Sequence, residues 1–178
     1  MRIIGGAAKG RNFSPPPSLN VRPTTDRARE SLFQLLENAG GLEGKRILDL
    51  FCGTGSIGLE CASRGAAKVV CVDLQAMALR FIAGIARDLN WPIETTRADV
   101  RKILRKPAHP PYDYIFADPP YEAPFLPKLP QMVADAKLLQ QNGLFILEHG
   151  PHSKPLPHSG LQMERTYGHV HFSFYRFG

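Results

Sequence analysis

The stretch from Arg46 to Gly58, R-I-L-D-L-F-C-G-T-G-S-I-G, constrains this chain more than any other. Ile47, Leu48, Leu50 and Phe51 form an apolar run of buried-strand length, and Gly53, Gly55 and Gly58 follow with the spacing of a glycine-rich turn that opens a helix. A tight strand-to-helix turn favours glycine for purely structural reasons as well, where φ is positive or where backbone approaches a helix closely. Asp49 tips the reading toward a bound ligand. A carboxylate inside an apolar strand is costly unless it meets a partner, and a strand serving a dinucleotide usually carries an apolar residue so close to the loop.

Downstream, the pattern alternates. Residues 46–51, 68–72, 93–98, 112–117 and 144–147 read as strands, and 56–64, 76–89 and 126–139 as helices, the last carrying Pro127 and Pro130 near its start. Strands alternating with helices predict right-handed βαβ units and a doubly wound, mostly parallel α/β sheet. The end differs: 162–167 and 169–177 flank Gly168, and Val170, Phe172 and Phe174 alternate with His169, His171 and Ser173, which predicts a terminal antiparallel hairpin at the sheet edge.

Before the glycine turn, Arg2-Ile3-Ile4 and Arg11-Asn12-Phe13 flank Gly5-Gly6 and Gly10 as a small hairpin. Pro15, Pro16 and Pro17 make an extended connector, expected to hold that hairpin away from the body. Thr24 or Thr25 then caps a helix carrying Ala28, Leu32, Leu35, Leu36 and Ala39 at helical spacing, ending at Gly40-Gly41.

A chain of 178 residues fits one domain over 1–178, with 1–20 as hairpin and linker, and buries roughly 70% of its unfolded surface. Its apolar runs are far too short to span a bilayer, and the first residues lead into no signal-peptide core, so a cytoplasmic protein is expected. Cys52, Cys61 and Cys71 contain no C-x-x-C pair, which points to reduced, buried thiols and to no metal site. The six histidines scatter over loops and the last strand and read as surface or RNA-facing groups. Charge is informative by location. Six cations (Arg2, Lys9, Arg11, Arg22, Arg27 and Arg29) against Asp26 give residues 1–29 a net +5 out of +6, leaving +1 for the rest. A basic arm on a nearly neutral body suits a polyanion such as nucleic acid.

Asp49, Asp73, Asp99 and Asp118 fall at or just past successive strand ends, which lie on one edge of a parallel sheet, where ligands bind. Asp73 follows Gly53 at the distance expected of an acid that bonds ribose hydroxyls. Asp118-Pro119-Pro120-Tyr121 narrows the chemistry further. Two prolines remove two N–H donors and stiffen the loop, so it presents oxygens. The complement of such a patch is the exocyclic amine of a nucleobase: Asp118 and the Pro119 carbonyl can take its two hydrogens while Tyr121 stacks on the ring. Holding both hydrogens turns the nitrogen lone pair out of conjugation and toward an electrophile.

These residues resemble a known family. D-L-F-C-G-T-G-S-I-G-L-E, the V-D of Val72-Asp73, the A-D of Ala98-Asp99 and D-P-P-Y look like motifs of S-adenosylmethionine-dependent amino-methyltransferases. More narrowly, M-R-I-I-G-G, K-G-R and R-P-T-T-D-R-A-R-E-S-L-F resemble the RsmD family, which methylates guanine N2 in small-subunit (16S) ribosomal RNA. The resemblance implies a Rossmann-like class I methyltransferase sheet whose last strand runs antiparallel, with the N-terminal β-hairpin as an extension. It implies S-adenosyl-L-methionine as cofactor, with Asp49, Gly53, Thr54 and Gly55 at the methionine end, Asp73 on the ribose, and Asp99 on the adenine amine beside Val100. Phe51, Leu74 and Asp118 complete the cofactor contacts, and Asp118 to Tyr121 form the catalytic set. Arg2, Lys9, Arg11, Arg22, Thr24 and Arg27 would face RNA, with Arg22, Thr24 and Arg27 closing over cofactor or RNA; the RNA is either naked or in an assembled or partly assembled small ribosomal subunit, and the protein would act as a monomer. Family members usually carry Glu where Asp73 stands, and Asn in the helix where Gly84 or Ile85 stands. Two rivals share parts of the pattern: methylation of adenine N6 or cytosine N4 in DNA, which also uses D-P-P-Y, and a nicotinamide-dependent oxidoreductase, which shares the glycines.

Overall fold

A computed structural model describes residues 1–17, 19, 26–105 and 111–177. Seven strands form one sheet: β1 (Arg46–Leu50), β2 (Lys68–Asp73), β3 (Ile93–Arg97), β4 (Tyr112–Ala117), β5 (Leu139–His149), β6 (Leu161–Tyr167) and β7 (Val170–Tyr175), in the order β3-β2-β1-β4-β5-β7-β6. The first five pair in parallel, and β7 inserts antiparallel between β5 and β6. Strand order reverses between β1 and β4, so the crevice outside their carboxyl ends is the topological switch point. The predicted architecture and its terminal hairpin are both present.

Helices α1 (Asp26–Asn38), α2 (Ser56–Ser63), α3 (Ala76–Asp88), α4 (Val100–Arg105) and α5 (Leu129–Ala136) cover the sheet. Alternation along the strands divides the core. Ile47, Val69, Cys71, Phe116 and Ile146 pack on one face with α1, α2 and α3; Leu48, Leu50, Val70, Ile115, Leu147 and α5 residues pack on the other.

The structure corrects several expectations. The 126–139 helix is a 3-10 turn (Leu126–Lys128) followed by α5, with Pro130 in its first turn and Lys137 in the left-handed region (φ 51°) closing it. α4 has no counterpart among the expected helices: six residues with Val100 and Leu104 buried are too short for a legible period. The hairpin is not held away from the body. The two segments pair antiparallel, but through a single bridge, Arg2 opposite Asn12, around a 3-10 turn (Gly6–Ala8) and not as two strands, and the unit docks along α2. Glu60, fully buried, accepts the Ile4 N–H at 2.8 Å and the Gly5 N–H at 2.7 Å, and the Ser63 hydroxyl accepts the Ala8 N–H and donates to the Gly5 carbonyl. A side chain on Gly6 would strike the Ser63 backbone, its Cβ falling 1.9 Å from the carbonyl oxygen. Arg29, counted above as arm charge, is also buried and donates to the Arg2 carbonyl and Asp26. His149 is another exception: it lies buried in β5, with Nδ1 3.0 Å from the Gly150 carbonyl and Nε2 2.9 Å from Ser173 Oγ, and burial lowers its pKa. The expected helix caps Thr24 and Thr25 lie outside the described residues. Cys52, Cys61 and Cys71 are buried and free.

Candidate functional site

At the end of β1 the chain turns sharply. Phe51 takes a positive φ (60°) that side chains rarely adopt, and the Gly55 N–H closes the turn on the Cys52 carbonyl at 2.7 Å. Gly55 (φ 78°) has no room for a side chain: a Cβ would come within 2.6 Å of Ile82 on α3. At Gly58 a Cβ would lie 2.6 Å from Cys71 Sγ and 3.2 Å from Asp49 Oδ2. The missing side chains let α2 start directly against β1 and β2, with its amide end at the switch point.

Asp49 is buried, and its Oδ2 accepts the Gly58 N–H at 3.0 Å. Desolvation raises its pKa from 3.8 to about 7; the Gly58 amide opposes the rise and the Asp73 charge adds to it. The carboxylate thus meets its partner within the protein, at the base of the glycine turn. Asp73, expected on a ribose, also ties the turn together. Its Oδ2 accepts the Gly53 N–H and its Oδ1 the Gln75 N–H, both at 2.9 Å, and each carboxylate oxygen carries a second lone pair for a ligand hydroxyl. Beyond it Leu74 is 62% exposed, and Met77 is also exposed, an apolar rim beside an acid, as a nucleoside requires.

Asp99 follows β3 and holds Arg101 in a fork, with Nη2–Oδ2 at 2.6 Å, Nε–Oδ1 at 3.0 Å and the Arg101 N–H on Oδ1 at 2.9 Å. These bonds lower the Asp99 pKa to about 2. The Arg101 guanidinium lies 5.4 Å from the Phe125 ring centre, and Phe125 stacks on Phe51 at 5.9 Å. Arg101 and Phe125 therefore join the Asp99 corner to the glycine turn, a role that nothing in their sequence setting announces. Val100 is buried beneath.

Asp118 leaves β4 beside the glycine turn: its N–H points to the Leu50 carbonyl at 3.4 Å. Pro119 is buried and Pro120 exposed, and the Pro120 carbonyl accepts the Ala123 N–H at 2.8 Å, so the loop is fixed from within. Tyr121 donates its hydroxyl to Glu148 Oε1 at 3.2 Å, and its ring lies where a side chain on Gly150 would be, 2.6 Å from the position of a Cβ. Glu148 and Gly150, absent from the sequence-derived site, are thus part of it. Their one sequence signal is an acid ending an apolar strand.

The described residues of the arm lie to one side of this crevice. A cavity of about 540 Å³ opens between the hairpin, α1 and α2, with Arg2, Lys9, Glu30, Gln34 and Arg64 on its walls. It holds none of the D-P-P-Y or glycine-turn groups. Lys9, Arg11 and Arg27 are exposed, while Arg2 is half-exposed and lies 3.6 Å from Glu30. Arg22 and Thr24 lie outside the described residues.

Residues 1–176 match the model of a family described as conserved hypothetical protein 95. Ribosomal RNA small subunit methyltransferase D of Buchnera aphidicola is 33% identical over 82% of this chain and 76% of its own length. The protein of the same name from Escherichia coli K12 is 30% identical over 99% of this chain and 89% of its own. A solved structure, a hypothetical protein of Thermus thermophilus, superposes with a TM-score of 0.84 at 28% identity, covering 98% of both chains. With nearly its whole length matched, and with the seven-stranded sheet and switch-point crevice in place, the chain belongs to this family, the RsmD family, and has its Rossmann-like class I methyltransferase fold.

Proposed function

We propose that this protein transfers a methyl group from S-adenosyl-L-methionine to the exocyclic N2 amine of a guanine in small-subunit ribosomal RNA. The observation that carries the reading is the contact of two motifs: Asp118, which opens D-P-P-Y, lies against Leu50, which opens the glycine turn. A nucleobase amine and a nucleoside-bearing methyl donor would meet there. The residues fit such a donor. The buried Asp49 and the glycine turn suit a cationic amino-acid end, Asp73 suits ribose hydroxyls and the exposed Leu74 suits a purine face, while Asp99, gripped by Arg101 through both oxygens, would have to share Oδ2 to take the purine amine. Relatives named as ribosomal RNA methyltransferases support the same chemistry and the same substrate class.

S-adenosyl-L-methionine supplies a methyl group on a sulfonium, already activated for displacement. The protein's task is alignment. Asp118 and the Pro119 carbonyl accept the two amine hydrogens and direct the nitrogen lone pair along the line of attack, and Tyr121 holds the base plane. The sulfonium would supply its methyl group to the amine nitrogen, and Asp118 or water would accept the proton that the amine gives up. Lys9, Arg11 and Arg27, exposed on the arm and α1, would neutralise RNA phosphates.

Asp118→Ala tests the assignment. Methyl transfer to small-subunit RNA should fall by roughly a thousandfold or more, since attack geometry is lost, while equilibrium dialysis with labelled S-adenosylmethionine should find binding largely kept. Turnover equal to wild type would refute the role of Asp118.

A further inference from the structure

The strand register places a second carboxylate beside the one assigned to the amine. The last paired residues of β4 and β5 are Ala117 and Leu147, so Asp118, the first residue past β4, and Glu148, on β5, follow that pair at neighbouring positions of adjacent parallel chain segments. Alternation puts both on the face that carries Phe116 and Ile146. Glu148 is 6% exposed and buried against the loop that receives the base, and it holds the Tyr121 hydroxyl through Oε1. On the other side of Tyr121, Gly150 leaves room for the ring. A carboxylate in this position is held by the same aromatic that stacks on the base, so ring and acid are positioned together.

We infer that Glu148 selects guanine over the other amine-bearing bases by accepting the hydrogen of its ring nitrogen N1, next to the N2 amine held by Asp118. This rests on the guanine reading above. Guanine alone presents a ring N–H adjacent to an exocyclic amine on its pairing edge. Adenine and cytosine place a lone pair there. A carboxylate facing that lone pair repels it, whereas facing the N–H it gains a charge-assisted hydrogen bond. Sites that use a buried polar group in this way discriminate far better than apolar pockets of the same shape, because the wrong ligand leaves the group unpaired. The arrangement also gives D-P-P-Y, which is indifferent to the base bearing the amine, a neighbour that is not.

The test uses 2-aminopurine, which keeps the N2 amine but has a lone pair at N1. Small-subunit RNA is joined from two pieces so that either guanine or 2-aminopurine occupies the nucleotide that the wild-type enzyme methylates. Wild type should favour guanine in kcat/KM by roughly ten- to a hundredfold, the range of one lost charge-assisted bond. Glu148→Gln keeps the shape and an acceptor for Tyr121, and its amide can donate to the 2-aminopurine lone pair, so the preference should fall to within about threefold of unity. Tyr121→Phe removes the same internal hydrogen bond but leaves the carboxylate; it should slow both substrates and leave the ratio near the wild-type value. A wild-type ratio retained in Glu148→Gln, with S-adenosylmethionine binding intact, would show that Glu148 only orients Tyr121 and would overturn the inference. A ratio collapsing equally in Tyr121→Phe would do the same. Failure of the wild-type enzyme to methylate any guanine amine would instead remove the guanine reading itself, and the inference with it.

Discussion

Asp49 shows how one residue can hold a fold and a ligand site in opposition. Its carboxyl stays protonated up to about pH 7 in the folded chain, against 3.8 as its ordinary value. Between those pH values the folded state holds a proton that the unfolded state has released. The stability that Asp49 contributes is therefore full below pH 3.8 and is lost as pH rises through 7, a swing of about 4 kcal/mol from the size of the shift. Asp49→Asn abolishes this titration and can still accept the Gly58 N–H. Urea unfolding should show it gaining on wild type as pH goes from 5 to 8, by up to about 3 kcal/mol. A cation bound nearby favours the ionised form, so S-adenosylmethionine affinity should rise from pH 6 to 8 in wild type and stay flat in Asp49→Asn. Parallel pH profiles for the two proteins would contradict this account. A lone acid in an apolar strand makes the residue visible in the sequence, but its direction is not. That it turns toward Gly58 depends on a missing Cβ nine residues away.

At the scale of elements, what can be read is what repeats. β1, β2 and β4 fall within a residue of their apolar runs, because each run stops at an acid or a turn. β5 extends beyond the readable 144–147 in both directions. Its first part, through Gln140, Gln141 and Asn142, is polar and exposed, and Asn142 sits at positive φ beside an irregularity in the β4 register, so no alternation marks it. The docking of the hairpin is illegible for a different reason. It depends on Glu60, which sits among Leu59, Cys61 and Ala62 and bonds to amides 55 and 56 positions away, a relation no local pattern encodes. Glu60 also holds Arg64 at 2.8 Å, and Arg64 lies over the Phe33 ring, so one carboxylate clamps hairpin, α1 and α2 together. Glu60→Ala should cost about 3 kcal/mol, as expected when a buried acceptor of several bonds is removed. Hydrogen exchange should speed at Ile3, Ile4 and Gly10 well before the β1 amides respond. Unchanged protection of those arm amides would show that the hairpin is held by its apolar contacts alone.

For the molecule as a whole, the sheet brings to one edge groups that lie 69 positions apart in the chain, from Asp49 to Asp118, and the strand reversal between β1 and β4 opens the crevice between them. Four acids at strand ends are enough to locate that edge from sequence. Glu148, Arg101 and Phe125 are not recovered, because their parts depend on cross-strand register and on ring contacts between segments. The basic arm divides likewise: Arg29 is buried, Arg2 is half-exposed and lies 3.6 Å from Glu30, and Lys9, Arg11 and Arg27 are exposed. In the proposed reaction a proline-stiffened loop would present a guanine amine to a methyl donor at the glycine turn. The most direct test is the identity of the product nucleoside. Small-subunit particles lacking methylation, incubated with the protein and labelled S-adenosylmethionine and digested completely, should yield the label as N2-methylguanosine. Label in N6-methyladenosine or N4-methylcytidine, or none in the RNA at all, would contradict it.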